Sequence, residues 1–342
     1  MTEHVALRKE KSEILHLTWG QFLFGWFSVF CLFLILRNTE IAMEYMTRGL
    51  RLCAKTVIPS LFPFMVISEL IVSGGIGSAL LHPVTPVLQK IFWLPEDGCA
   101  ALILGMLCGF PVGAKCAVSA LDNQRLTEDD VQRILLFSTN PSSAFLINAV
   151  GVSLWGNRKF GLFLYATVLL SQLLIGLIFT HFPNKKKSGT QTVPPPKHSS
   201  SAKPNTVQLF TGAVGSSCRG ILLICAYVIF FSALVGTLNL VLDRFGTSAA
   251  IKAAVFGVFE LSGGVSAASA LQMPMVAAGL SAFAAGWSGL SVHCQLLAIC
   301  DGRKLNLRPY FLAKLLQGIL CVLLFGLLIR LDPSVLIPAN QC

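Results

Sequence analysis

Four ionisable residues, Glu69, Lys115, Glu260 and His293, stand in stretches that are otherwise apolar or small, each near a cluster of helix-breaking residues. A charged side chain at the centre of a bilayer costs from about 2.5 kcal/mol upward, so such a residue must be paired or face water. Glu260 is the hardest to explain as a surface residue, because apolar or small residues flank it for nearly two helical turns on both sides. Lys115 has a physical use. It follows Gly109-Phe110-Pro111-Val112-Gly113, and an interrupted helix presents free amides and the positive end of its dipole to an anion. Glu69 or Glu260 is expected to pair with Lys115 across the bundle. Asn140, Ser142, Ser143, Ser262 and Ser288 would add neutral hydrogen bonds, and His293 reads as an interior histidine or a proton relay. The chemistry implied is recognition of a small anionic solute.

Bond-breaking chemistry finds no support in the chain. There is no phosphate-cradling Gly-rich loop ending in Lys-Ser/Thr, no HExxH and no serine on a nucleophile elbow. No catalytic residue, metal ligand set or cofactor is expected, and the chain does not read as an enzyme. The 11 cysteines include no CxxC pair, and most lie in apolar runs where Cys behaves as a small hydrophobe.

The helix-breaking clusters are the second signal. They are Pro59 and Pro63; Gly109, Pro111 and Gly113; Asn140-Pro141-Ser142-Ser143; Ser262-Gly263-Gly264; and Gly286-Trp287-Ser288-Gly289. A backbone group freed in hydrocarbon costs several kcal/mol unless protein, water or ligand satisfies it. The last four clusters are therefore expected to face one shared polar cavity, the competing reading being kinks and close packing through small residues. Two spacings suggest a duplication: Leu104 to Phe256 is 152 residues and Phe137 to Phe283 is 146, each pair opening a similar break. Broken helices at matching places of two halves are the sequence mark of a transporter site.

The elements that must hold these residues follow from composition. Of 342 residues 54% are hydrophobic and only 12% charged, about half the charge a soluble domain carries. Apolar runs near 20–36, 56–73, 98–120, 134–152, 160–181, 218–241, 251–272, 279–299 and 309–330 are mostly long enough to cross about 30 Å of hydrocarbon as helices. The expected fold is all-α: a polytopic integral membrane bundle with two weakly similar halves and broken or re-entrant helices. Residues 1–55 read as an uncleaved first transmembrane helix with an amphipathic interfacial segment, 56–182 as a first repeat, 183–206 as a flexible Pro/Ser/Lys linker, and 207–342 as a second repeat. The net charge of +10 belongs to loops and helix ends, so nucleic acid is not an expected partner. The lipid bilayer and a small-molecule solute are, with a coupling ion and a homo-oligomer left open.

Val57 to Phe64 (VIPSLFPF), Leu104 to Lys115 and Phe137 to Phe145 form an ordered set. Over residues 40 to 330 the chain resembles the YlbJ family of sporulation integral membrane proteins, which carries the nucleoside-recognition, or Gate, domain of concentrative nucleoside transporters. The resemblance implies a multi-pass protein of the bacterial cell membrane or outer forespore membrane, and passage of dipicolinic acid into the forespore. A nucleoside-type transporter and a non-transporting scaffold of a sporulation complex are the alternatives. Where the family has Ser-Val-Gln after a Gly-rich break, this chain has Ser291-Val292-His293 after Trp287.

Overall fold

A computed structural model describes residues 19–73, 83–181 and 205–337. Most of the 183–206 linker, and the residues before Trp19 on which the reading of an uncleaved N-terminus rests, lie outside them. The described residues are helical throughout. The first helix, α1 (Trp19–Arg37), is followed by α2 (Thr39–Leu52), a π-helical turn Cys53–Val57 and α3 (Ile58–Ser73). A short α4 (Thr85–Phe92) leads through a 101° bend into α5 (Glu96–Cys108). Then come α6 (Val112–Asp122), α7 (Glu128–Ser138), a π-helical segment Phe145–Leu154 and α8 (Arg158–His181). The second half holds α9 (Thr206–Arg244), α10 (Ala249–Phe259), α11 (Leu261–Ser269), α12 (Pro274–Trp287), α13 (Gly289–Cys300) and α14 (Arg308–Leu331).

Five helices are long and apolar enough to cross a membrane among the described residues, or six if the bent α4–α5 pair counts as one span. Their outer faces are what lipid requires. Along α14, Leu312, Leu315, Ile319, Leu323 and Leu327 are exposed at helical spacing, while Lys314, Gln317, Cys321 and Phe325 on the other face are buried. A stripe of that size would aggregate in water and is ordinary against acyl chains. The chain is an integral, multi-pass membrane protein.

Two expectations change here. Pro59 and Pro63 do not break the chain: Thr39–Ile71 runs as one helix with Pro63 inside it. The wide π-helical turn just before Pro59 loosens the ladder where proline lacks its N–H, and the Ser60 hydroxyl bonds back to the Thr56 carbonyl at 2.6 Å. The amphipathic stretch 37–55 is the first part of this helix, not a separate interfacial one. Its small face lies on α9, with a Cβ at Gly49 meeting Ser232 Oγ at 2.6 Å and the Tyr45 ring packed on Gly236.

The halves are built in the same order. In each, a long helix (α2–α3 or α9) precedes two helices folded back on one another (α5 and α6, or α10 and α11). A broken helix follows (α7 and the π-helical segment, or α12 and α13), then a helix of 24 residues (α8 or α14). The folded-back pairs close through glycine. A Cβ at Gly113 would stand 2.6 Å from Gly105 Cα, and one at Gly264 would collide with Gly257 Cα. Gly113 and Gly264 are thus packing contacts inside helices and not breaks, as is Gly286, which lies against Gly318 of α14.

Candidate solute site between four helix breaks

Each break has its own local cause. After α5, Gly109 takes φ +71° and Pro111 lacks an N–H, so the helix stops and restarts at Val112. After α7, Asn140-Pro141 does the same, and the Ser142 hydroxyl caps the next segment by accepting from Phe145 N at 3.1 Å. Between α10 and α11 a single extended residue, Glu260, interrupts the helix. Its carboxylate accepts from Ser262 N at 3.0 Å and Gly263 N at 2.5 Å, an acid at a helix N-terminus. Between α12 and α13, Ser288 and Gly289 both have positive φ, 74° and 83°, and the Trp287 indole ties the turn to the Val258 carbonyl at 3.0 Å.

The breaks meet in pairs and the pairs meet at one cavity. Phe110 N donates to the Asn140 carbonyl at 2.7 Å, and a Cβ at Gly289 would stand 2.9 Å from Leu261 N. Phe110, Asn140, Ser142, Glu260, Ser262 and Ser288 line a common cavity of about 60 Å³, with Ser291 and Gln295 of α13. Val57, Leu61, Ile224 and Val228 give it an apolar wall. The Ser288 hydroxyl is buried there with no protein partner. At that volume the cavity holds a few waters, not a solute the size of a pyridine dicarboxylate.

A larger cavity of about 460 Å³ lies on the other side of Glu260, which lines both. Arg48, Arg51 and Lys55 project into it from α2 and the π-helical turn, facing Ser232 of α9 and Gly263 and Ser266 of α11. Arg48 is bonded to Glu44 at 2.5 Å. Arg51 and Lys55 make no ion pair among the described residues. Beside the Arg48–Glu44 pair, two cations without an ion pair face one carboxylate whose charge is already held at a helix N-terminus, which leaves the vestibule net basic.

The expected site residues divide. Asn140, Ser142, Glu260, Ser262 and Ser288 stand at the inner cavity; Lys115, Glu69, Ser143 and His293 do not line it. Glu260 caps α11 and is not paired with Lys115, whose amine lies toward Gly220 of α9. Nearness to a break in sequence does not fix direction: Lys115 lies a full turn along the helix beyond Pro111, and its amine reaches α9 and not the cavity. Ser143 bonds the Leu107 carbonyl at 3.1 Å. His293 is an interior histidine, its Nδ1 hydrogen-bonded with Tyr310 Oη at 2.8 Å and its ring against Trp287.

Sequence reading missed a buried polar cluster behind Asn140. Lys314 of α14 bonds the Thr139 carbonyl, Asn140 Oδ1 and Gln317 Oε1 at 2.9, 3.0 and 2.9 Å. Gln317 Nε2 donates to Asn140 Oδ1 at 2.8 Å, and Asn140 Nδ2 to Gln172 Oε1 at 2.8 Å. The Asn140 amide is therefore saturated by protein. Its signal was Lys314 and Gln317 three apart on one face of an otherwise apolar run.

No protein-family model and no solved structure matches the chain. The chain is 26% identical over 321 residues to the sporulation integral membrane protein YlbJ of Bacillus subtilis (strain 168), a match covering 86% of this chain and 79% of that protein. The family likeness carried by the sequence motifs thus has a counterpart in a chain-wide similarity to a sporulation integral membrane protein.

Proposed function

We propose that the chain is a permease for a small anionic solute and acts in sporulation, as the name of its relative suggests. One observation carries the reading: four helix breaks, two from each half, converge on one polar cavity that shares Glu260 with a basic vestibule. Breaks of this kind are stable in a membrane only where protein buries them or they border a cavity, and paired broken helices at the junction of two repeats are where secondary transporters hold their solutes. The two halves are the products of a duplication in this reading. The vestibule has the volume for a pyridine dicarboxylate, with Arg51 and Lys55 as its carboxylate partners. Movement of one half against the other then opens the inner cavity, where Ser262, Ser288, Ser291 and Gln295 receive the solute. A carboxylate-bearing solute of this class is dipicolinate, and the outer forespore membrane is the corresponding location.

The neutral lining of the inner cavity supports a second reading, an uncharged polar solute of nucleoside size. Spores from a host lacking the gene separate the two. A severe loss of pyridine-2,6-dicarboxylate, restored by the wild-type gene but not by an Arg51→Ala/Lys55→Ala version, is expected. A normal content would count against the anion reading and leave the nucleoside reading, tested by nucleoside uptake into vesicles.

A further inference from the structure

Lys314 is wholly buried in the middle of a membrane-spanning helix, and no carboxylate is bonded to it among the described residues. Its ammonium sits among three neutral oxygens: the Thr139 main-chain carbonyl at 2.9 Å, Asn140 Oδ1 at 3.0 Å and Gln317 Oε1 at 2.9 Å. A carbonyl released by a helix break, joined by side-chain oxygens, is the coordination that transporters offer to a coupling cation. Three ammonium protons match three acceptors. A neutral amine has two N–H donors and could serve only two of the three. The cage is also braced from outside, since Gln317 Nε2 reaches Ser171 at 3.3 Å and Asn140 Nδ2 holds the Phe137 carbonyl at 2.7 Å.

The other half has no such cage. α8 and α14 are each 24 residues long and begin at Arg158 and Arg308, which sets Leu164 opposite Lys314 and Thr167 opposite Gln317. At Ser288, the matching break, the hydroxyl has no protein partner.

We infer that Lys314 is a tethered cation occupying a monovalent-cation site built at the break after α7. The protein needs no free alkali ion at this position. The site accepts Na⁺, K⁺ or a small alkylammonium only when the lysine side chain is removed. The inference does not depend on the identity of the solute, and its test reads stability alone, so it and the permease reading can fail separately.

The test is the thermal midpoint of the purified full chain in detergent, in chloride salts of Na⁺, K⁺, ethylammonium and N-methyl-D-glucamine at matched ionic strength. The wild type should melt at the same temperature in all four. Lys314→Ala should melt several degrees lower in N-methyl-D-glucamine and recover in at least one of the small cations. A wild type stabilised by Na⁺ or K⁺, or a Lys314→Ala protein indifferent to all four salts, would overturn the inference. If Lys314→Ala yields no folded protein, Gln317→Leu replaces it, removing one oxygen and keeping the ammonium. Its midpoint should fall, and an unchanged midpoint would overturn the inference equally.

Discussion

The two pairs of helix breaks are alike in construction and differ in how their polar groups are satisfied. In the first half Asn140 is saturated by Lys314, Gln317, Gln172 and the Phe137 carbonyl. In the second half the Ser288 hydroxyl is buried without a partner, and Glu260 stands between two cavities, held by the N-terminus of α11. The same device, a helix interrupted inside a membrane, thus serves two ends. At the first pair the Asn140 amide is fully bonded within the protein, though Ser138 Oγ and Gln172 Nε2 beside it are not; at the second the Ser288 hydroxyl, on the cavity wall, is left unbonded.

If that contrast is right, equivalent truncations should have unequal effects. Asn140→Ala leaves the Lys314 ammonium short of an acceptor and uncovers Gln172 and Gln317. It should cost about 3 kcal/mol or more, seen as a large drop in melting midpoint or loss of folded protein. Ser288→Ala removes a hydroxyl that has no partner and should change stability by only about 0.5 kcal/mol, while solute uptake falls. Equal stability losses at the two positions would erase the distinction.

Next in size is Glu260→Gln. An amide can still accept one main-chain N–H, but it lacks the charge that suits a helix N-terminus, so a loss of about 1 kcal/mol is expected in a melting experiment. An Arg51→Ala/Lys55→Ala protein should melt as the wild type does. Its half-saturating solute concentration should rise at every salt concentration, and by the largest factor at low salt, where attraction to the vestibule is least screened. A salt-independent defect would mean that these residues act by packing.

The smallest effect concerns the bridge between halves on the exposed surface. Arg303 holds Asp122 through Nε at 2.8 Å and Nη2 at 2.6 Å. The guanidinium's hydrogen bonds and charge hold the Asp122 carboxyl below its usual range. A lowered value in the folded state means that the contribution is present above the unfolded carboxylate range and lost as pH falls from there through the lower folded value. The pair should therefore add nothing pH-dependent between about pH 5 and 8 and should weaken below about pH 4. Asp122→Asn should lower the midpoint slightly and by a constant amount between about pH 5 and 8 and flatten the acid limb, and an effect that persists undiminished below about pH 3 would contradict the assignment.

Much of the architecture was legible because its causes are local. Nine apolar runs mark the positions of α1, α3, α5–α6, α7 with the π-helical segment, α8, α9, α10–α11, α12–α13 and α14. The breaks at Gly109-Phe110-Pro111 and Asn140-Pro141 were readable because proline and positive-φ glycine act on their own backbone. What escaped depends on rotation and partners. α4 is eight residues long, too short for periodicity to reveal. Lys115 points away from the break it follows, whereas Lys314, in a run that reads as plain lipid-spanning sequence, reaches one from 175 residues away. Pro59 and Pro63 look like breakers, but a π-helical turn upstream takes up their effect.

The central claim is that solute passes through the cavity among the four breaks. Ser291→Leu tests it most directly, because it fills that cavity while replacing no residue of the vestibule, the Lys314 cluster or the Glu260 cap. The measurement is uptake of radiolabelled pyridine-2,6-dicarboxylate into proteoliposomes carrying wild-type or variant protein of equal thermal midpoint. Saturable uptake by the wild type, falling to the level of empty vesicles in Ser291→Leu, is the expected result. Wild-type rates in Ser291→Leu would contradict the account.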